Sequence, residues 1–192
     1  MNRVFYCLVA FLCFTNSEGF AQSGYDFQDK FIIVLDIQEV FIQQQLTDSV
    51  TENLILNINK IISKANPEKV IYIKSIMTQL SISFKGIKVD TIAGLNLDER
   101  LNMVNGNIYE KSKANAFSSK GMMEFIEKNE THDFIVVGLM AEHCVYQTLL
   151  GGIENGFKMA TIPEAVAGKS TSSKSKKMKK LQKKGVGIIE IM

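Results

Sequence analysis

Three apolar runs constrain the fold of this chain more than any other feature. They are Phe31–Leu35, Val70–Ile73 and Phe134–Val137, and no charged side chain interrupts any of them. A strand with one wet face alternates apolar and polar residues, because successive side chains point to opposite faces. Apolar runs of four or five residues without that alternation read as strands covered on both faces, the situation in parallel sheets flanked by helices. Between the first two runs, Val50, Leu54, Ile58, Ile61 and Ile62 recur at helical spacing within 47–65, and Asn66-Pro67 ends the pattern. That stretch is read as an amphipathic helix. A second helix is expected over 119–128. A third starts near Cys144 and closes at Asn155-Gly156, where glycine suits the cap. Shorter strands are expected at 107–110, 157–162 and 186–191. The stretch from Ser75 to Asn107 holds no clear period and is read as a long irregular excursion. Strands alternating with helices predict an α/β chain: a three-layer, Rossmann-like fold with a mostly parallel six-stranded sheet and helices on both faces.

The first 21 residues fall outside that pattern. Arg3 carries a positive charge, Val4 to Phe14 is continuously apolar, and Thr15 to Ala21 is small and polar apart from Phe20. This order is that of a secretory signal, with Gly19 and Ala21 at the positions that precede a cut. An apolar run of 11 residues is too short to span a bilayer, which needs roughly 20. The expected organisation is a signal peptide at 1–21 and one domain at 22–192, exported to the periplasm or beyond, with no stable membrane span. No cysteine stands at the cut, where Gln22 follows Ala21, which argues against a lipid anchor.

The balance of charge is ordinary, at +2 with a pI near 8.3, and does not call for nucleic acid. Eight of the 22 basic residues lie in 169–184, which raises the question of a basic patch. That segment lacks interleaved aromatics, and Met178 and Leu181 stand at i, i+3, so it is read as a solvated helix face docked by two apolar residues.

Removal of 1–21 would take Cys7 and Cys13 with it, leaving Cys144 alone. A solitary thiol in an exported protein is either small buried filling or chemistry. Its position favours chemistry. In parallel sheets, ligands bind outside the carboxyl ends of the strands, and three reactive side chains stand at three strand exits: Asp36, Lys111 and Cys144. His143 precedes the thiol directly, but residues adjacent at a helix start point about 100° apart. It is therefore read as a lining group rather than the partner of Cys144.

Four pieces of sequence then carry a resemblance. They are Leu35-Asp36-Ile37-Gln38 with Phe41; Leu97-Asp98-Glu99-Arg100-Leu101; Tyr109-Glu110-Lys111 through Asn115-Ala116-Phe117; and Val137-Gly138 through Cys144-Val145 and Thr148. In this order they resemble the isochorismatase-like cysteine hydrolases, over essentially the whole chain from Asp29 onward. The resemblance implies an Asp36, Lys111 and Cys144 triad, with Lys111 rather than Lys113 as the lysine. It also implies backbone amides of Met140 and Cys144 as an oxyanion hole, with a cis peptide between Leu139 and Met140. Gln38, Phe41 and Phe117 are the expected pocket residues around a small-molecule substrate, an amide or ester. Nicotinamidases of that family hold a metal with an aspartate and histidines after the second strand. Here Lys74 to Phe84 has neither a histidine nor an acid, so no metal and no cofactor is expected. Relatives often form homo-oligomers. The start of a helix and a nearby lysine both favour a thiolate, so Cys144 is expected to be acidified. The alternative is a non-catalytic exported protein that binds a small ligand on the same fold.

Overall fold

The computed structural model describes residues 25–84, 86–92 and 96–190; the expected signal peptide at 1–21 lies outside them. The three apolar runs form the middle of a six-stranded sheet. β1 (Phe31–Leu35) is paired on one side with β2 (Val70–Ser75) and on the other with β6 (Asp133–Gly138), both parallel. The sheet is completed by β5 (Ile108–Lys111) beyond β2, and by β7 (Lys158–Val166) and β8 (Gly187–Ile188) beyond β6. The order is β5-β2-β1-β6-β7-β8, and every pairing in it is parallel.

Period two divides each central strand between two cores. Ile32 and Val34 of β1, Val70 and Tyr72 of β2, and Ile135 and Val137 of β6 face one of them. There they meet Leu54, Ile55, Ile58, Ile61 and Ile62 of α2 (Asp48–Ile62), with α1 (Glu39–Gln45) adding Ile42. Ile33, Leu35, Ile71, Ile73, Phe134 and Val136 face the other core. That face is covered by α3 (Lys120–Lys128), α4 (Cys144–Glu154) and α5 (Thr171–Gln182). Both sides are dry, which is why these strands have no polar alternation.

Differences from the sequence reading have local causes. Val50, expected in the buried stripe, is exposed, and Ile55 takes its place. Of the strand expected over 186–191, the described residues to 190 form only Gly187–Ile188, and residue 191 lies outside them. α1 went unread because it presents a single buried residue, too few for a period to show. The stretch expected to be irregular contains a hairpin of β3 (Met77–Ser83) and β4 (Gly86–Ile92), in antiparallel register from Met77↔Ile92 to Ser83↔Gly86. It forms a separate two-stranded sheet, with Phe84 fully exposed at its tip. Its two strands pair with each other and, among the described residues, with no strand of the main sheet.

The exits of the strands are shaped for close approach. Gly138 ends β6 at φ +118, and a Cβ there would lie 2.1 Å from the Leu35 carbonyl oxygen. Only glycine lets β6 end this near β1. Asp36 follows β1 at φ 56, in the left-handed region that aspartate tolerates better than most residues. The segment 96–101 braces this turn: Asp98 N–H donates to the Ile37 carbonyl at 2.9 Å, and Glu39 N–H to that of Asn96 at 3.2 Å. Asp98 is itself buried and held by Arg100 at 2.7 Å.

Candidate active site

Asp36, Lys111 and Cys144 come from three parts of the chain and meet at the carboxyl end of the sheet. Lys111 Nζ lies 2.9 Å from Asp36 Oδ2, with both side chains almost wholly buried. The same nitrogen donates to Cys144 Sγ at 3.2 Å. Lys113, the alternative lysine, is exposed. Cys144 is the first residue of α4, with His143 at the cap position.

A fourth side chain belongs to this group. Ser75, the last residue of β2, accepts from Lys111 Nζ at 2.7 Å and donates to Asp36 Oδ1 at 2.8 Å. Sequence reasoning missed it, although the strand-exit rule that selected the other three also selects this position; a serine simply attracts less notice than a charged residue or a thiol.

Gln38 is not a pocket residue as expected. It is fully buried and clamps Ser75, its Oε1 accepting from the Ser75 N–H at 2.7 Å and its Nε2 donating to the Ser75 carbonyl at 3.2 Å. Phe117 is also displaced from the expected pocket. Its ring lies 5.6 Å from that of Phe134 and 5.3 Å from that of Phe157, inside the core beneath α3 and α4. Its motif instead fixes the chain after Lys111: Asn115 Oδ1 accepts from the Phe117 N–H, and Thr148 Oγ1 on α4 accepts from the Ala116 N–H at 2.9 Å.

The cavity beside the thiol has a volume of about 180 Å³ and is lined by Asp36, Phe41, Gln45, Ser75, Leu139, Met140, His143 and Cys144. Phe41 and His143 therefore stand where the sequence suggested, and Gln45 is an addition from the unread α1. The peptide joining Leu139 and Met140 is cis. Among the described residues, no acceptor is bonded to the amide of Met140 or of Cys144. The first amides of a helix have no partner within it.

The protonation of the thiol departs from expectation. Burial pushes Cys144 up from 9.0 to about 11; the negative charge of Asp36 adds to this, and Lys111 offsets only part of it. The helix start and the lysine favour a thiolate, but desolvation of the anion and the adjacent carboxylate outweigh them. Burial and the carboxylate thus favour the protonated thiol at neutral pH, and Lys111 Nζ donates to its sulfur at 3.2 Å.

The isochorismatase domain matches residues 30–191. The chain belongs to that family. It is a hydrolase of the isochorismatase family by that membership, on the α/β fold described above. Solved structures with the same fold include the pyrazinamidase of Pyrococcus horikoshii in complex with zinc. That structure is 17% identical, covers 85% of this chain and 99% of its own, and has a TM-score of 0.69. An isochorismatase of Pseudomonas putida is 17% identical over 87% of this chain and 90% of its own, at a TM-score of 0.67. The YcaC gene product of Escherichia coli, described as an octameric hydrolase of unknown specificity, is 14% identical over 88% and 78%, at 0.65. Comparison with curated protein sequences gives no match.

The Pyrococcus structure holds zinc, and the described residues of this chain show no donor set for such an ion. Zinc takes histidine, cysteine or carboxylate ligands. Lys74 to Phe84 supplies none, and among the described residues no three His, Cys, Asp or Glu side chains cluster. No helix among them is long and apolar enough to cross a membrane. The basic segment is α5: Met178 and Leu181 are buried, and Lys177 and Lys180 lie over the Tyr146 ring at 4.4 and 5.6 Å. Those lysines fasten α5 to α4.

Proposed function

We propose that the chain cleaves a small amide or ester through a covalent thioester, with Cys144 as nucleophile, Asp36 as proton carrier and Lys111 as the cation that steadies the sulfur. The observation that carries this reading is the single ammonium of Lys111 held between the Asp36 carboxylate at 2.9 Å and Cys144 Sγ at 3.2 Å. A resting thiol requires that the proton leave as the sulfur attacks. Asp36 takes it, and the sulfur bonds to the substrate carbonyl carbon. The oxyanion that forms is met by the amides of Met140 and Cys144. Its collapse breaks the C–N or C–O bond, and Asp36 returns the proton to the departing amine or alcohol. Water then attacks the thioester, giving a proton to Asp36. The second collapse releases the acid, and Asp36 reprotonates the sulfur. The cavity of about 180 Å³ is below the size usual for drug-like ligands, which supports a small acyl group beside Phe41.

The experiment is a panel of small amides and esters given to wild type and Cys144→Ala, with mass spectrometry of the intact protein for a trapped acyl adduct. Hydrolysis that the variant loses, with the adduct on Cys144, supports the reading. Equal rates in both proteins would sink it. The raised thiol favours one second reading, a ligand-binding protein whose sulfur stays inert; ligand binding without turnover in the same panel would select it.

Export is part of the proposal, supported by the composition of residues 1–21. A secreted or periplasmic product beginning at Gln22 by N-terminal sequencing is the expected result. Association of copies is also proposed, since the Escherichia coli relative is described as octameric; light scattering of purified protein measures it.

A further inference from the structure

Ser75 takes no part in the proton transfers above, yet its hydroxyl makes the shortest bond to Lys111. An ammonium has three N–H donors. Those of Lys111 are met by Ser75 Oγ at 2.7 Å, Asp36 Oδ2 at 2.9 Å and Cys144 Sγ at 3.2 Å. Ser75 Oγ closes the ring by donating to Asp36 Oδ1 at 2.8 Å. Its lone pair takes the lysine proton, so its own hydrogen is committed to the carboxylate. The backbone of Ser75 is fixed at both its N–H and its carbonyl by buried Gln38. This is a built position, held from two sides.

Two of the three acceptors change charge during the reaction. Asp36 loses its negative charge on taking the thiol proton, and the sulfur gains one. Ser75 Oγ alone stays neutral throughout. We propose that Ser75 is a positioning residue that holds the Lys111 ammonium beside Cys144 Sγ while negative charge passes from Asp36 to the sulfur, a role that rests on the hydrolase reading of the site.

Loss of the hydroxyl has a directional consequence. The ammonium would keep two acceptors, of which the resting carboxylate is the charged one, and Asp36 Oδ1 would be freed for a second bond to it. A buried ammonium is drawn to its counter-ion, so Lys111 would close onto Asp36 and leave the sulfur. The charged and titratable groups facing Cys144 are Asp36 from the end of β1, Lys111 from β5 and His143 at the start of its own helix. Ser75 touches two of them, Lys111 and Asp36, and the change acts on both in one direction: the ammonium and the carboxylate, each losing a bond to the hydroxyl, close on each other.

The test is the rate of Cys144 alkylation by iodoacetamide at pH 8, which needs no substrate. Wild type is compared with Ser75→Ala, and Ser75→Thr with Ser75→Val, each pair differing chiefly in the hydroxyl. A thermal melt of each protein reports folding. The expected result is alkylation about tenfold slower in the Ala and Val variants, equivalent to one pKa unit, with the Thr variant near wild type. A merely structural serine predicts the opposite sign, because loosened packing exposes the thiol; unchanged or faster alkylation in the variants without the hydroxyl overturns the proposal. If the Ala variant does not fold, the Thr and Val pair decides. Slower alkylation together with no hydrolysis of any amide or ester would retain the positioning of Lys111 and remove the hydrolase reading instead.

Discussion

The chemistry of Cys144 is a contest between burial and charge, decided within a few ångströms. Lys111 is near enough to lower the thiol, but burial and Asp36 raise it further, to about 11. Alkylation of the wild type should therefore be slow at pH 6 to 7 and rise about tenfold per pH unit toward that value. A plateau reached below pH 8 would show a preformed thiolate and contradict this. Lys111→Met removes the one nearby charge that favours the anion, so its alkylation at pH 8 should be at least about tenfold slower than wild type. The residue types at the site were legible in sequence because Asp36, Lys111 and Cys144 each follow a readable strand. The state of the thiol was not. Its desolvation depends on Phe41, Leu139 and Met140, which line the cavity around it, and no local pattern reports that.

Elements place these residues through a few joints between them. The clearest joins the segment after β5 to α4. Thr148 is fully buried, and its Oγ1 accepts from the Ala116 N–H at 2.9 Å. On the same helix Gly151 leaves room for Asn115, whose Nδ2 would lie 2.1 Å from a Cβ there. Thr148→Val keeps the volume and strands a buried amide, which costs about 1–3 kcal/mol. A lower urea midpoint at unchanged slope is the expected outcome, and a midpoint equal to wild type would show that the joint contributes nothing. The same joints explain what sequence could and could not show. Phe31–Leu35 and Phe134–Val137 announce themselves because both faces of the sheet are dry. Phe117 was read as a pocket residue because its motif adjoins Lys111. In fact, its ring fills the core under α3 and α4 while Asn115 and Thr148 fix the backbone beside it. The hairpin β3–β4 left no such signal, since it pairs only with itself.

At the scale of the whole molecule, the buried Asp98 and the half-buried Cys144 set opposite limits on the pH range of stability. Arg100 holds the Asp98 carboxyl below its ordinary 3.8, chiefly by the hydrogen bonds it donates. A depressed carboxyl contributes stability that is complete above the unfolded value and lost as pH falls through the folded one. Asp98 braces the turn after β1 through its N–H to Ile37, so its protonation loosens the support of Asp36. Asp98→Asn should be less stable than wild type at pH 7, and the difference should close below pH 3.8. Cys144 acts at the other end. Its folded value is raised from 9.0 to about 11, so between these values the native state holds a proton that the unfolded chain has released. Stability then falls as pH rises, by the sign of the linkage relation. Urea midpoints from pH 8 to 11 should decline more steeply for wild type than for Cys144→Ala, which has no thiol to titrate. Parallel declines in the two proteins would mean that the sulfur is no more buried in the folded chain than in the unfolded one. That result would also remove the reason for assigning the first proton transfer to Asp36, because a thiolate already present needs no base.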